Sequence, residues 1–259
     1  MTALADRQDF ATPSTVSDEF IASLSLRQQI AIAMNALERH EFCQDVAGHV
    51  VARESEGRYL TNPWGYTWEC VRASDLLVID ENSSLLEENR DLRPSPSLEL
   101  HFGILRKRSD VAVTIHNHPP LATAWSATGK PLQPLDQTSA LFYERQAWCN
   151  EFGDVDTLYD PAFFDVTGDA LGPDAHLLWM KHHGAIVAHR DVPFATVYAL
   201  YVERSVSINL AAAQAGGTPP LSEPVARKMR DMLQDAFVIP DTWKAIVRAT
   251  LRVRPDIIA

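Results

Sequence analysis

The sequence predicts a single α/β domain built in layers, and three observations carry that expectation. Short runs of β-branched and aliphatic residues, at 76–80 and 111–115, lie mid-chain between Gly, Pro, Asn and Asp positions. Segments with apolar residues at helical spacing stand before and after them, at 26–38, 192–215 and 241–253. No repeat, low-complexity tract or Pro/Gly/Ser-rich linker divides the 259 residues, a length that can bury one large core. Residues 1–20 read as a loose tail and 21–259 as the domain.

In chain order, Ser23 or Ser25 is placed to cap the helix at 26–38. Residues 48–53 and 58–62 read as two strands joined by the polar turn 54–57, and Asn62-Pro63-Trp64-Gly65 as a loop. The strand 76–80 turns back at 81–84, and 97–106 is a helix candidate. The strand from Val111 must stop at Pro119, which has no N–H for a ladder. A short helix follows at 121–127, and the aromatic segment 138–150 has no clear period. Residues 177–187 read as a strand pair or a strand bent at Gly184. Gly216-Gly217 ends the long helix at 192–215, and a further helix runs from Ser222 to about residue 234.

The charge of −11 argues against nucleic acid and anionic membranes, both of which select basic patches. Residues 1–17 lack the basic and apolar regions of a signal peptide, and no run approaches the length of a membrane span. Cys43, Cys70 and Cys149 lie far apart and form no C-x-x-C, which fits reduced thiols in a cytoplasmic compartment. Neither G-x-S-x-G nor the P-loop pattern occurs. The expected partner is a small-molecule substrate.

The chemistry-bearing stretch is His116-Asn117-His118 at the end of its strand. Residues i and i+2 of a strand share a face, so both imidazoles can aim at one point. His183, before Gly184, is a third candidate, and three histidines leave a divalent ion open positions for catalysis. Such a ligand set suits Zn(II), Fe(II) or Mn(II), one ion per chain. His40, His176 and His189 stand beside turns and are expected at the surface, while His101 is expected to pack or make a structural hydrogen bond. His182 should face away from His183 if the backbone is extended there.

From about residue 26 to 217 the chain resembles the class II aldolase/adducin family. The resemblance rests on Gly48-His49, Asn62-Pro63-Trp64-Gly65, Ala73-Ser74-Asp75-Leu76, His101, His116-x-His118-Pro119 and His183-Gly184, in that order. It implies a central, mostly antiparallel β-sheet flanked by helices, and a homotetramer with sites near subunit interfaces. It also implies His116, His118 and His183 as metal ligands.

The departures are informative. Sugar-phosphate members carry a carboxylate four residues before the histidine equivalent to His101, where this chain has Ser97. The nearest carboxylate is Glu99, and two residues on a helix turn through about 200°, away from the site unless the backbone differs. His49 replaces a phosphate-site Asn, and the loop through Trp64, Tyr66 and Trp68 is bulky where phosphate needs small residues. The chain therefore looks more like two other branches: one that holds metal-dependent decarboxylases of hydroxylated aromatic acids and the iron oxygenases of aminocoumarin biosynthesis, and the adducin-like proteins. Retention of all three ligands disfavours the last, which lacks metal chemistry. The expected activity is a metal-dependent lyase cleaving a C–C bond beside a carbonyl or carboxylate in a non-phosphorylated aromatic acid, with a non-haem Fe(II) oxygenase as the alternative. His49, Tyr66 and Glu99 are the candidate catalytic residues, and Trp64, Tyr66 and Trp68 the candidate pocket wall.

Overall fold

The hairpin forms as β1 (His49–Ser55) and β2 (Arg58–Thr61), antiparallel about Gly57, whose φ of 69° suits glycine. This computed structural model describes residues 16–40, 42, 46–87, 92–150, 161–235 and 237–259. Beside the hairpin lie β3 (Leu77–Ile79) and β4 (Val113–Asn117), followed along the chain by β5 (Gln146–Cys149), β6 (Leu177–Met180) and β7 (Gly184–His189). Together they make a seven-stranded sheet in the order β3-β2-β1-β4-β7-β6-β5. Every pairing is antiparallel except β5 with β6, so the sheet is mostly antiparallel as expected.

The parallel edge explains the unreadable segment at 138–150. Strand β5 pairs with a partner reached only through a long crossover, so no hairpin turn joins it to its neighbour in the sheet. The strand is preceded by the short helix α5 (Gln137–Ala140), capped by Asp136.

Helices cover both faces. On one side lie α1 (Asp18–Ala22), α2 (Leu26–Arg39), α4 (Pro120–Ser126), α7 (Val192–Gln214) and α9 (Val238–Val253), packed with Val50, Val113, Ile115 and Val187 in the larger core. Also on the chain is α8 (Glu223–Asp235). The other face packs Val51, Ile186 and Ala188 against α3 (Glu99–Lys107), with α6 (Pro161–Leu171) beside it. Helices α3 and α6 meet backbone to backbone: a Cβ on Gly168 would lie 2.1 Å from the Gly103 carbonyl oxygen.

Ser25 rather than Ser23 caps α2, in a reciprocal box with Gln28. Helix α9 begins at Val238, earlier than the expected 241, because Pro240 is tolerated in a first turn whose N–H groups need no helical partner. The expected tail boundary at residue 20 falls inside α1, where Asp18 pairs with Lys244 and Arg248 of α9. Residues 1–15, Cys43 and 88–91 lie outside the described residues.

Candidate metal centre

Three imidazoles converge where β4 ends and β7 begins. The Nε2 atoms of His116 and His118 lie 3.0 Å apart, those of His118 and His183 2.9 Å, and those of His183 and His116 3.2 Å. Imidazole nitrogens about 2.1 Å from a shared ion span roughly such distances, so the donor set fits a divalent metal. The Nδ1 of His116 donates to the Ala185 carbonyl oxygen at 3.0 Å, which fixes its tautomer and leaves the Nε2 lone pair for a ligand. His116 is buried, whereas His118 and His183 are half-buried and form the open side.

Local sequence dictates this convergence. Asn117 closes β4, and Pro119, at φ −62°, starts α4 and carries the chain away. Residues 181–183 form a turn between β6 and β7, with His182 left-handed at φ 61°. His182 is therefore not in the extended backbone assumed for it, and it stands exposed. Gly184 has φ 155°, and a Cβ there would lie 2.5 Å from the Asn117 carbonyl oxygen. Glycine at this position lets β7 start against the end of β4 and brings His183 onto His118.

His49 opens β1 directly opposite His116, with ring centroids 5.1 Å apart. Asn62 braces this start: its Oδ1 accepts from the Val50 N–H, and its Nδ2 donates to the Gly48 carbonyl oxygen. His49 Nδ1 lies 2.8 Å from His101 Nε2, and His101 Nδ1 lies 2.7 Å from Thr114 Oγ1. Burial, followed by the proximity of His118 and His183, pushes His49 down to about 3. Burial and then His118 push His183 down to about 3 as well. His116 and His101 are held well below the ordinary range, mainly by burial. Near neutral pH these imidazoles are uncharged, the state a metal requires.

Other candidates are placed differently. Among the described residues, no carboxylate oxygen joins the three-histidine group within 4.8 Å, Glu99 included. One oxygen of Glu99, Oε2, is buried without a hydrogen-bond partner. Tyr66 is 39% exposed, and no hydrogen bond or ring contact among the described residues joins it to the histidines. Trp68, expected in a pocket wall, is instead a core residue with 0% exposure whose Nε1 donates to the Gly48 carbonyl oxygen. His176 and His189, expected at the surface, stack at 4.5 Å at the far end of β7, and His189 is buried. Thr114 is not among the residues that the sequence singles out. Its signal was a lone hydroxyl in an apolar strand, two residues before His116 and on the same face.

A mostly antiparallel α/β layer with a three-histidine group at the meeting of two strands defines the class of protein. The chain belongs to the class II aldolase and adducin N-terminal domain family, whose profile matches residues 28–210. It is a member of an enzyme family. It is 25% identical over 237 residues to the 4-hydroxy-3-prenylphenylpyruvate oxygenase/4-hydroxy-3-prenylbenzoate synthase of Streptomyces roseochromogenus subsp. oscitans, covering 90% of this chain and 84% of that protein. It is also 25% identical over 235 residues to decarboxylase NovR of Streptomyces niveus, covering 90% and 86%. In fold it is similar to an L-fuculose 1-phosphate aldolase from Glaciozyma antarctica PI12, with a TM-score of 0.80 and 21% identity over 97% of this chain and 96% of that one.

Proposed function

We propose that this chain is a metal-dependent lyase of the decarboxylase type, cleaving a C–C bond beside a carbonyl or carboxylate in a non-phosphorylated aromatic hydroxy or oxo acid. The observation that carries this reading is the Nε2 triangle with His49 beside it and, among the described residues, no carboxylate in the group. His116, His118 and His183 would hold one Zn(II), Fe(II) or Mn(II) ion, which supplies Lewis acidity toward substrate oxygens and, with iron, redox chemistry. The half-buried edges of His118 and His183 are the side from which substrate enters. His49, neutral and buried, binds a substrate oxyanion. Tyr66, on its exposed loop, serves as a proton donor if that loop closes over the substrate. The absence of Asn at position 49 and the bulky 62–68 loop weigh against a sugar phosphate.

The second reading is a non-haem Fe(II) oxygenase, favoured by the name of the Streptomyces roseochromogenus relative. Turnover of a panel of aromatic hydroxy and 2-oxo acids separates the two. Anaerobic CO₂ release with Mn(II) or Zn(II) supports the lyase; a strict need for Fe(II) and O₂, with label from ¹⁸O₂ in the product, replaces it with the oxygenase. The working form is proposed to be a cytoplasmic homotetramer with sites near subunit interfaces. No helix among the described residues is long and apolar enough to cross a membrane.

A further inference from the structure

We infer that Asn117, the residue between His116 and His118, is a positioning residue for the metal centre. Its side-chain amide holds the His118 backbone, and its contacts with Gly48 and Gly184 set where His49 and His183 enter the site. This rests on the reading of His116, His118 and His183 as metal ligands, and not on the reaction proposed above.

The need arises at the strand end. The register of β4 with β1 stops at the His49–His116 pair, and that with β7 stops at Asn117–Ala185, so His118 stands past both ladders. Its Nε2 must nevertheless lie 3.0 Å from that of His116 and 2.9 Å from that of His183. Where a ladder ends, side chains take over the pairing of backbone groups. Here Asn117 Oδ1 accepts the His118 N–H at 2.7 Å, and Asn117 Nδ2 donates to the Phe42 carbonyl oxygen. The N–H only donates and the carbonyl only accepts, so the direction of both bonds and the orientation of the amide are settled.

Two glycines close on the same residue. A Cβ on Gly48 would lie 3.0 Å from both Cγ and Oδ1 of Asn117, and a Cβ on Gly184 would lie 2.5 Å from its carbonyl oxygen. Gly48 precedes His49 and Gly184 follows His183, so Asn117 is wedged between the two segments that carry those imidazoles. The wedge is tightly held. Asn117 is 1% exposed, and the Gly48 carbonyl oxygen accepts from both Asn62 Nδ2 and Trp68 Nε1. Asp has the same shape but does not replace Asn here, because its second oxygen would face the Phe42 carbonyl oxygen with no proton between them.

The test uses Co(II), whose visible absorption reports the arrangement of its ligands. The parent, Asn117→Ala and Asn117→Asp are titrated with Co(II), and urea unfolding of the metal-free proteins is followed beside them. Both variants are expected to bind Co(II) about 10–100-fold more weakly, as loss of a group that orients a ligand does, and to show a shifted visible band at saturating metal. A residue that only tied Phe42 to β4 would lower stability and leave the saturated spectrum unchanged. A saturated spectrum identical to the parent's in either folded variant therefore overturns the inference, whatever the stability. Should Asn117→Ala not fold, Asn117→Asp decides. A parent that takes up no Co(II) overturns the metal reading and this inference with it. Failure of every aromatic acid to turn over would count against the proposed function alone.

Discussion

Gly184 and Asn117 touch more closely than any side chain would allow: a Cβ on Gly184 would sit 2.5 Å from the Asn117 carbonyl oxygen. That contact sets β7 against β4 and so decides where His183 lies relative to His116 and His118. Replacing Gly184 with Ala should cost about 2–4 kcal/mol, from the forced backbone shift and the positive φ. Urea unfolding of the metal-free protein measures this, and the same variant should bind metal less tightly. Parent-like stability would show that the strand junction is looser than its geometry implies.

Protein purified without chelator should contain about one divalent ion per chain, and His116→Ala should remove it. His116 is the sharpest choice because its Nδ1 is committed to Ala185, so its Nε2 is a pre-set ligand. Elemental analysis decides the matter, and equal metal in variant and parent would refute the assignment.

Glu99→Gln should leave metal content unchanged, since no Glu99 oxygen joins the three-histidine group. Removing a charge from a side chain with one buried, unpartnered oxygen should not lower stability. Loss of metal in this variant would place the carboxylate at the ion after all.

His189 gives a pH signature away from the metal. Burial, then His176 and Arg190, pushes it down to about 2, against the raising effect of Asp110; Arg108 adds to the lowering. The unfolded chain therefore binds the proton more tightly than the fold does. Its contribution to stability is fully present above the unfolded value of about 6.5 and is lost as pH falls below it toward the folded value. Unfolding free energy of the metal-free protein should decline on acidification from about pH 6.5, since each of the imidazoles His49, His101, His116, His183 and His189 is lowered in this way, and His189→Phe should make that decline less steep. An equal slope in both proteins would count against a contribution from His189.

Light scattering at micromolar concentration should report a tetramer, as the family resemblance implies. A stable monomer would remove the proposal that sites lie near subunit interfaces.

Much of the site was legible because its pieces are local. His116 and His118 stand two apart where a strand must end, and His183 precedes a glycine. The capping of α2 and the stop at Gly216-Gly217 were equally readable, since each is settled within a few residues. Other features were hidden for a common reason. Trp68 looked like a pocket aromatic, but it packs on Gly48, whose missing side chain leaves it room. His176 and His189 flank turns, yet the pairing of β6 with β7 stacks them and buries His189.

The sequence by itself determined the residue types, their local backbone and the order of the elements: an apolar strand ending in two imidazoles, a His-Gly turn, and amphipathic helices on either side. These follow from steric rules that act over a few residues. Only the tertiary structure decided that His183 closes a triangle with His116 and His118, that Glu99 stays outside it, and that His101 reaches from α3 to His49 and Thr114. Those relations depend on strand register and on the approach of α3 to the sheet. Register and helix docking are set by packing summed over the whole core, and no short stretch of sequence carries that sum.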